Sequence, residues 1–141
     1  MATLKISDLS AGDWVRYKGK ECTIASIYMA AEGYPHEVAL TYQGICCGCA
    51  YIDHLEPIPI TAEILEKNGL FRHARDAGNP ESIVLSNHFI MARTYTDVDW
   101  WRVLIYDGEF PAKELFNGII YSVHQLQHAL RLAGVDKEIN L

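Results

Sequence analysis

The stretch Leu55-Glu56-Pro57-Ile58-Pro59-Ile60 constrains this chain more than any other. Proline holds φ near about −65° and has no N–H to give to a ladder. Two prolines at alternate positions therefore favour extended backbone and do not belong in the middle of a sheet. They mark the outgoing edge of a first half and divide the chain into subdomains of residues 1–60 and 61–141, the second expected to pack against the first. The chain has 141 residues, of which half are apolar and 21% charged. That is enough to bury a core without covalent staples, and too apolar for a disordered chain.

The first half reads as β. Trp14 to Tyr17, Cys22 to Met29, Glu37 to Tyr42 and Ala50 to Leu55 are short β-prone runs, rich in Val, Ile, Thr and aromatics. Lys18-Gly19-Lys20, Glu32-Gly33-Tyr34-Pro35 and Gln43-Gly44 punctuate them, glycine accepting the positive φ that tight turns need. Short strands with glycine turns at this spacing predict a small curled antiparallel sheet, specifically an SH3-like barrel.

The second half mixes helix and strand, which makes the whole chain α+β. Thr61 can cap a short helix, Glu63 complements its dipole, and Gly69 can take the left-handed position after its end. Ile83 to Thr94 and Trp100 to Tyr106 read as strands. Asp107-Gly108 and Asn117-Gly118 are hairpin-type turn signals, the second leading into a short strand from Ile119 to Tyr121. The expectation is an antiparallel sheet of three or four strands. A closing helix follows: Ser122 and Gln125 match the Ser-x-x-Gln capping box, and Gly134 ends it. On a helical wheel Val123, Leu126, Ala129, Leu130 and Ala133 share one arc of about 120°, with His124, Gln127, His128 and Arg131 opposite.

Three islands of this sequence form an ordered set. They are Gly12-Asp13-Trp14-Val15, the run from Leu55 through Thr61 with Glu63-Ile64-Leu65-Glu66-Lys67-Asn68-Gly69, and Tyr121 with the stretch from Val123 to Leu130. The set resembles small proteins of no known activity encoded by phages and mobile elements of gut bacteria. The resemblance touches both halves, and residues 71–116 add little to it. It implies a bacterial cytoplasm and a prophage or conjugative-element origin. It implies no activity and carries over no functional residue.

Charge narrows the partners. Twelve Lys and Arg face eighteen Asp and Glu, a formal net charge of −6. The first sixty residues hold four basic and seven acidic groups, the rest eight and eleven, so each half is −3. Nucleic-acid affinity rests on basic groups neutralising phosphates, and anionic membranes select for the same residues. Neither partner is expected. No apolar run approaches the roughly 20 residues of a spanning helix, and Met1 to Asp8 lacks a signal-peptide core, so the default location is cytoplasmic.

Four features carry candidate chemistry. Cys46-Cys47-Gly48-Cys49 puts three thiols in four residues. Soft metals and oxidants both suit such a cluster, but structural zinc wants four ligands, so a site here would have to recruit Cys22 or a histidine such as His54. Small apolar residues filling a curled strand is the plainer account. His124 and His128 stand at i and i+4, the spacing of a zinc-binding helix, yet Gln125 occupies the position of the glutamate base, and an amide cannot take a proton from bound water. Two polar residues on a solvated helix face is the plainer account here, and both histidines are expected to be exposed. Asp97 and Asp99 precede Trp100-Trp101 and read as an acidic loop. In a strand, one tryptophan joins Val103 and Ile105 in the core and the other shares a face with Arg102, Leu104 and Tyr106. Trp100, Arg102 and Tyr106 are then candidate interaction residues, because exposed Trp, Arg and Tyr dominate protein-binding hot spots. No phosphate-cradling glycine loop or serine nucleophile elbow occurs. The expectation is a non-enzymatic protein-interaction module without cofactor, binding a protein or its own copy. The alternative is a metal-binding protein using the cysteine cluster or the histidine pair.

Overall fold

The computed structural model describes residues 4–70, 81–86, 89–93, 100–107 and 113–141. Within them the chain is α+β, with two antiparallel sheets and two α-helices. It divides into two compact units, Met1–Ile58 and Pro59–Leu141, the boundary falling between the two prolines.

The first unit holds β1 (Trp14–Tyr17), β2 (Lys20–Tyr28), β3 (Glu37–Tyr42), β4 (Ile45–Tyr51) and β5 (Leu55–Glu56), in the order β4-β3-β2-β1-β5. The span from Ala50 to Leu55, expected as one strand, is the end of β4, a 3-10 turn at Ile52–His54 and the start of β5. Two hairpins close on two-residue turns. Lys18 and Gly19 have φ of 49° and 75°, and Gln43 and Gly44 have 50° and 79°. Positive φ at both central positions is the type I′ geometry, whose twist matches that of the flanking strands.

The core of this unit follows the period-2 alternation. Val15 and Cys22, Ile24 and Leu40, and Val38 and Ala50 face each other across ladders and are buried. The alternation is reset once within β2. Ile24 pairs with Leu40 while Ser26 pairs with Ala39, which leaves Ala25 as an extra residue in a bulge. Beyond it, Ile27 opposite Val38 packs on the core, and Ser26 and Tyr28 take the outer face. In front of β1, Asp13 is fully buried and its Oδ2 accepts the Ser10 N–H at 2.8 Å.

The second unit holds α1 (Ala62–Lys67), β6 (Glu81–Ser86), β7 (Phe89–Arg93), β8 (Trp101–Tyr106), β9 (Glu114–Ile120) and α2 (Val123–Leu132), with strand order β6-β7-β8-β9. Two expectations need correction. The segment Ile83 to Thr94 is not one strand but the antiparallel pair β6 and β7, with Glu81 opposite Arg93. Asn117-Gly118 is not a turn but lies inside β9, opposite Leu104 and Val103. Gly118 answers to packing there: a Cβ at that position would come within 2.7 Å of the Phe116 ring. Glycine inside a strand often marks such a close approach. The polar loop expected from Arg72 onward and the acidic pair Asp97 and Asp99 lie outside the described residues, as does Gly108.

Both helices end in the same way. After α1, the N–H of Gly69 donates to Glu66 O at 3.0 Å and that of Leu70 to Leu65 O at 2.7 Å. After α2, Gly134 donates to Arg131 O at 3.0 Å and Val135 to Leu130 O at 2.9 Å. These are Schellman caps, with the glycines at φ of 70° and 71°. The apolar stripe of α2 is buried as expected, Val123, Leu126 and Leu130 being almost fully covered, and α2 packs against β8.

One polar tie joins the two ends of this unit. Asn68, at the end of α1, donates through Nδ2 to Ile64 O and to Asn140 O, each at 2.8 Å, and its Oδ1 accepts the Asn140 N–H at 2.8 Å. The side chain thereby replaces a strand partner for Asn140, and neighbouring Ile139 is buried. Asn68→Ala removes all three bonds and leaves the Asn140 N–H and C=O without their side-chain partners at the edge of the buried Ile139, while Ile64 O keeps the Asn68 N–H. The expected loss is about 2–4 kcal/mol by chemical denaturation, with faster amide exchange at Asn140. Asn68→Asp, which keeps the acceptor and loses the donors, should fall between.

Candidate functional site

A recess of about 250 Å³ opens at one end of the first unit, where β2, β3 and β4 meet the loop between β2 and β3. Its floor is a rung of the sheet. Tyr28 on β2 lies opposite Glu37 on β3, and Glu37 lies opposite Tyr51 on β4. Facing residues of adjacent antiparallel strands share a face with Cβ atoms about 4.5–5.5 Å apart. Glu37 is therefore set between two tyrosines. The loop supplies Met29, Tyr34 and Pro35 to the wall. These side chains are well exposed: Tyr34 at 71%, Met29 at 69%, Tyr28 at 53% and Tyr51 at 43%.

The loop is held by its backbone. The Tyr34 N–H donates to Ala31 O at 3.0 Å, with Gly33 turning the chain at φ 88°. The Ala30 N–H donates to His36 Nδ1 at 3.0 Å, and the Ile52 N–H to His36 O at 3.0 Å. The rings are steered as well. The Ser26 hydroxyl donates to the Tyr28 hydroxyl at 3.2 Å. Tyr51 meets His54 edge-on, with centroids 6.0 Å apart. Sequence reasoning missed this recess, because strict alternation gives Ile24, Ser26 and Tyr28 one face. The readable signal was the three-residue step between two β-branched core residues, Ile24 and Ile27, which only a bulge accommodates.

The four cysteines are free thiols with contrasting settings. Cys22 is buried, whereas Cys46, Cys47 and Cys49 on β4 are exposed. Thr41 pairs with Cys46 and Leu40 with Gly48, so Cys47 is the extra residue of a second bulge, its Sγ donating to Leu40 O at 3.4 Å. Cys46 and Cys47 are both exposed, although the Cys47 thiol lies beside the buried Cys22 thiol. Burial pushes the Cys22 thiol above its ordinary pKa, the neighbouring Cys47 adds to this, and Lys20 opposes it. Among the described residues no group of three or more His, Cys, Asp and Glu side chains is placed to hold a metal ion.

His124 departs from expectation. It is buried, 3% exposed, while His128 is half-buried. The wheel places His124 opposite the apolar stripe, but it sits in the first turn of α2 beside the Ser122 cap and is buried there. Its Nδ1 lies 2.9 Å from Ser122 Oγ, and its ring meets that of His128 edge-on at 6.1 Å between centroids. Gln125 Oε1 accepts the N–H groups of Tyr121 and Ser122 at 2.7 and 3.2 Å, which occupies it with capping.

In the second sheet, Trp101, Val103 and Ile105 are buried, Arg102 is exposed, and Leu104 and Tyr106 are half-buried. The Arg93 guanidinium lies over the Trp101 ring at 4.6 Å. Trp100, just before β8, is half-buried. Arg102 stands between Ala92 and Ile119, and Tyr106 opposite Glu114. Comparison with family models, curated proteins and solved structures finds no match to this chain.

Two outcomes are expected from these placements. His124→Ala should cost about 1–3 kcal/mol in chemical denaturation, because it removes a buried imidazole together with its hydrogen bond to the Ser122 hydroxyl, and His128→Ala under about 1 kcal/mol. A thiol reagent at neutral pH, with labelled sites mapped by mass spectrometry, should modify Cys46, Cys47 and Cys49 first and Cys22 last. The raised Cys22 pKa also sets a sign. The fold keeps this proton better than the unfolded chain does, so its contribution is full below the range where an unfolded thiol ionises, near about 8.5. It is lost as pH rises through the raised value. Cys22→Ser should therefore flatten the alkaline decline of stability measured between pH 8 and 10.

Proposed function

We propose that this chain is a non-enzymatic protein-interaction module and that the tyrosine recess of its first unit is the docking site. The observation that carries this reading is the grouping of Tyr28, Met29, Tyr34 and Tyr51, all exposed, around one recess on a hydrogen-bonded frame. Scattered surface tyrosines are ordinary, but several around one concavity supply large, rigid contact area at low entropic cost. The strand order, with β1 between β2 and β5 and a 3-10 turn leading into β5, supports assigning the first unit an SH3-like fold. Trp100, Arg102 and Tyr106 remain candidates for a second contact on the other unit. The resemblance of the three sequence islands favours a role in a bacterial cytoplasm, in a phage or mobile element.

Selection of a displayed peptide library on the folded protein tests the reading. A shared motif should be enriched, and its binding should fall at least about tenfold, the loss expected for one hot-spot side chain, in Tyr34→Ala and Tyr51→Ala. Tyr121→Ala, an exposed tyrosine of the second unit, should bind as before. Enrichment of no motif, or binding indifferent to Tyr34 and Tyr51, would overturn it.

A further inference from the structure

We infer that the recess of the first unit receives a cationic side chain, an arginine in a basic segment of a partner protein. The inference rests on the interaction reading and adds the chemistry of the ligand. Glu37 sits at the centre of the floor, between Tyr28 and Tyr51. Among the described residues its carboxylate has neither an ion-pair partner nor a side-chain hydrogen bond. Any occupant that covers the recess takes water from that carboxylate. A buried charge is costly unless it is paired, so a neutral occupant would leave the cost unmet while a cation offsets it.

The rings point to the same charge. A phenol face is the negative part of its quadrupole and attracts a cation within about 6 Å of the centroid. This unit already uses that contact elsewhere: Lys18 Nζ lies 5.3 Å from the Tyr17 centroid and Lys20 Nζ 5.0 Å from that of Tyr42. Tyr28, Tyr34 and Tyr51 carry no such cation among the described residues, and no Lys or Arg lines the recess. The surroundings agree in sign, with four basic against seven acidic groups in the first sixty residues. Arginine fits better than lysine, because a planar guanidinium stacks on an aromatic face while its edge pairs with a carboxylate. A volume of about 250 Å³ admits one long side chain and leaves the rest of the partner outside.

The test uses the full chain, labelled with nitrogen-15, titrated with three blocked pentapeptides of sequence Gly-Ser-X-Ser-Gly. X is arginine, citrulline or leucine, citrulline having nearly the shape of arginine without its charge. The arginine peptide should shift the amide signals of Tyr28, Glu37 and Tyr51 saturably and bind about fivefold or more tightly than the citrulline peptide. Glu37→Gln should remove that preference, and added salt should weaken the arginine peptide alone. Well-dispersed spectra of the variant certify its fold. Tyr121→Phe, an exposed tyrosine of the second unit outside the recess, should bind as the parent does. Equal binding of arginine, citrulline and leucine peptides at the recess would overturn the cationic ligand and leave the docking reading standing. A failure of all three to shift recess signals would overturn both.

Discussion

One residue too many in β2 is the constraint on which the first unit depends. Ala25 stands in a bulge, and the side-chain period of a strand is two, so a single insertion exchanges the faces of everything after it. Before the bulge, Cys22 and Ile24 point into the core. After it, Ile27 does so and Tyr28 does not. The core keeps an unbroken apolar lining, and the outer face gains a tyrosine aligned with Glu37 and Tyr51. Core and recess are thus two results of the same backbone irregularity.

The recess combines three strand positions with four from the loop between β2 and β3, and this bears on how it would bind. Three of its members are fixed by ladder register, and the loop bearing Tyr34 is pinned by the His36 side chain and the turn at Gly33. A frame ordered before its partner arrives spares the association much of the entropy of ordering side chains and loops. The second unit orders itself by a different device. Both helices end on left-handed glycines that recover the last carbonyls, and the Asn68 amide takes the place of backbone for Asn140.

What was legible in the sequence was local. The Lys18-Gly19 and Gln43-Gly44 turns, the Thr61 cap, the glycine stops and the apolar stripe of α2 each follow from a few neighbouring residues, and each stands where the pattern puts it. What was not legible depends on residues distant in the chain. The sequence from Ile83 to Thr94 holds no glycine or proline, so the strongest punctuation is absent between β6 and β7. Asn117-Gly118 carries a turn signature, but the ring of Phe116 explains the glycine better than a turn does. His124 lies on the polar side of its wheel, yet it is buried and bonded to the Ser122 cap, and a wheel represents neither the cap nor the tertiary neighbours of a helix. The candidate site was hidden for a related reason. The cysteine run, the histidine pair and the paired tryptophans stand out in a linear reading, whereas Tyr28, Glu37 and Tyr51 are dispersed over three strands and meet only through register.

One outermost strand of the first sheet carries a device against further growth at its edge. β4 lies at the edge, and most of its side chains are exposed, Ile45 among them. A regular edge of this length would be a template on which further strands could add, the route by which soluble sheets become fibrils. β4 is not regular: Cys47 interrupts its ladder with β3, and Gly48 follows at φ 101°. A strand that breaks step halfway along cannot offer an incoming chain an unbroken row of donors and acceptors. The bulge at Cys47 thus blunts this edge of the sheet, and the opposite edge, β5, is only two residues long.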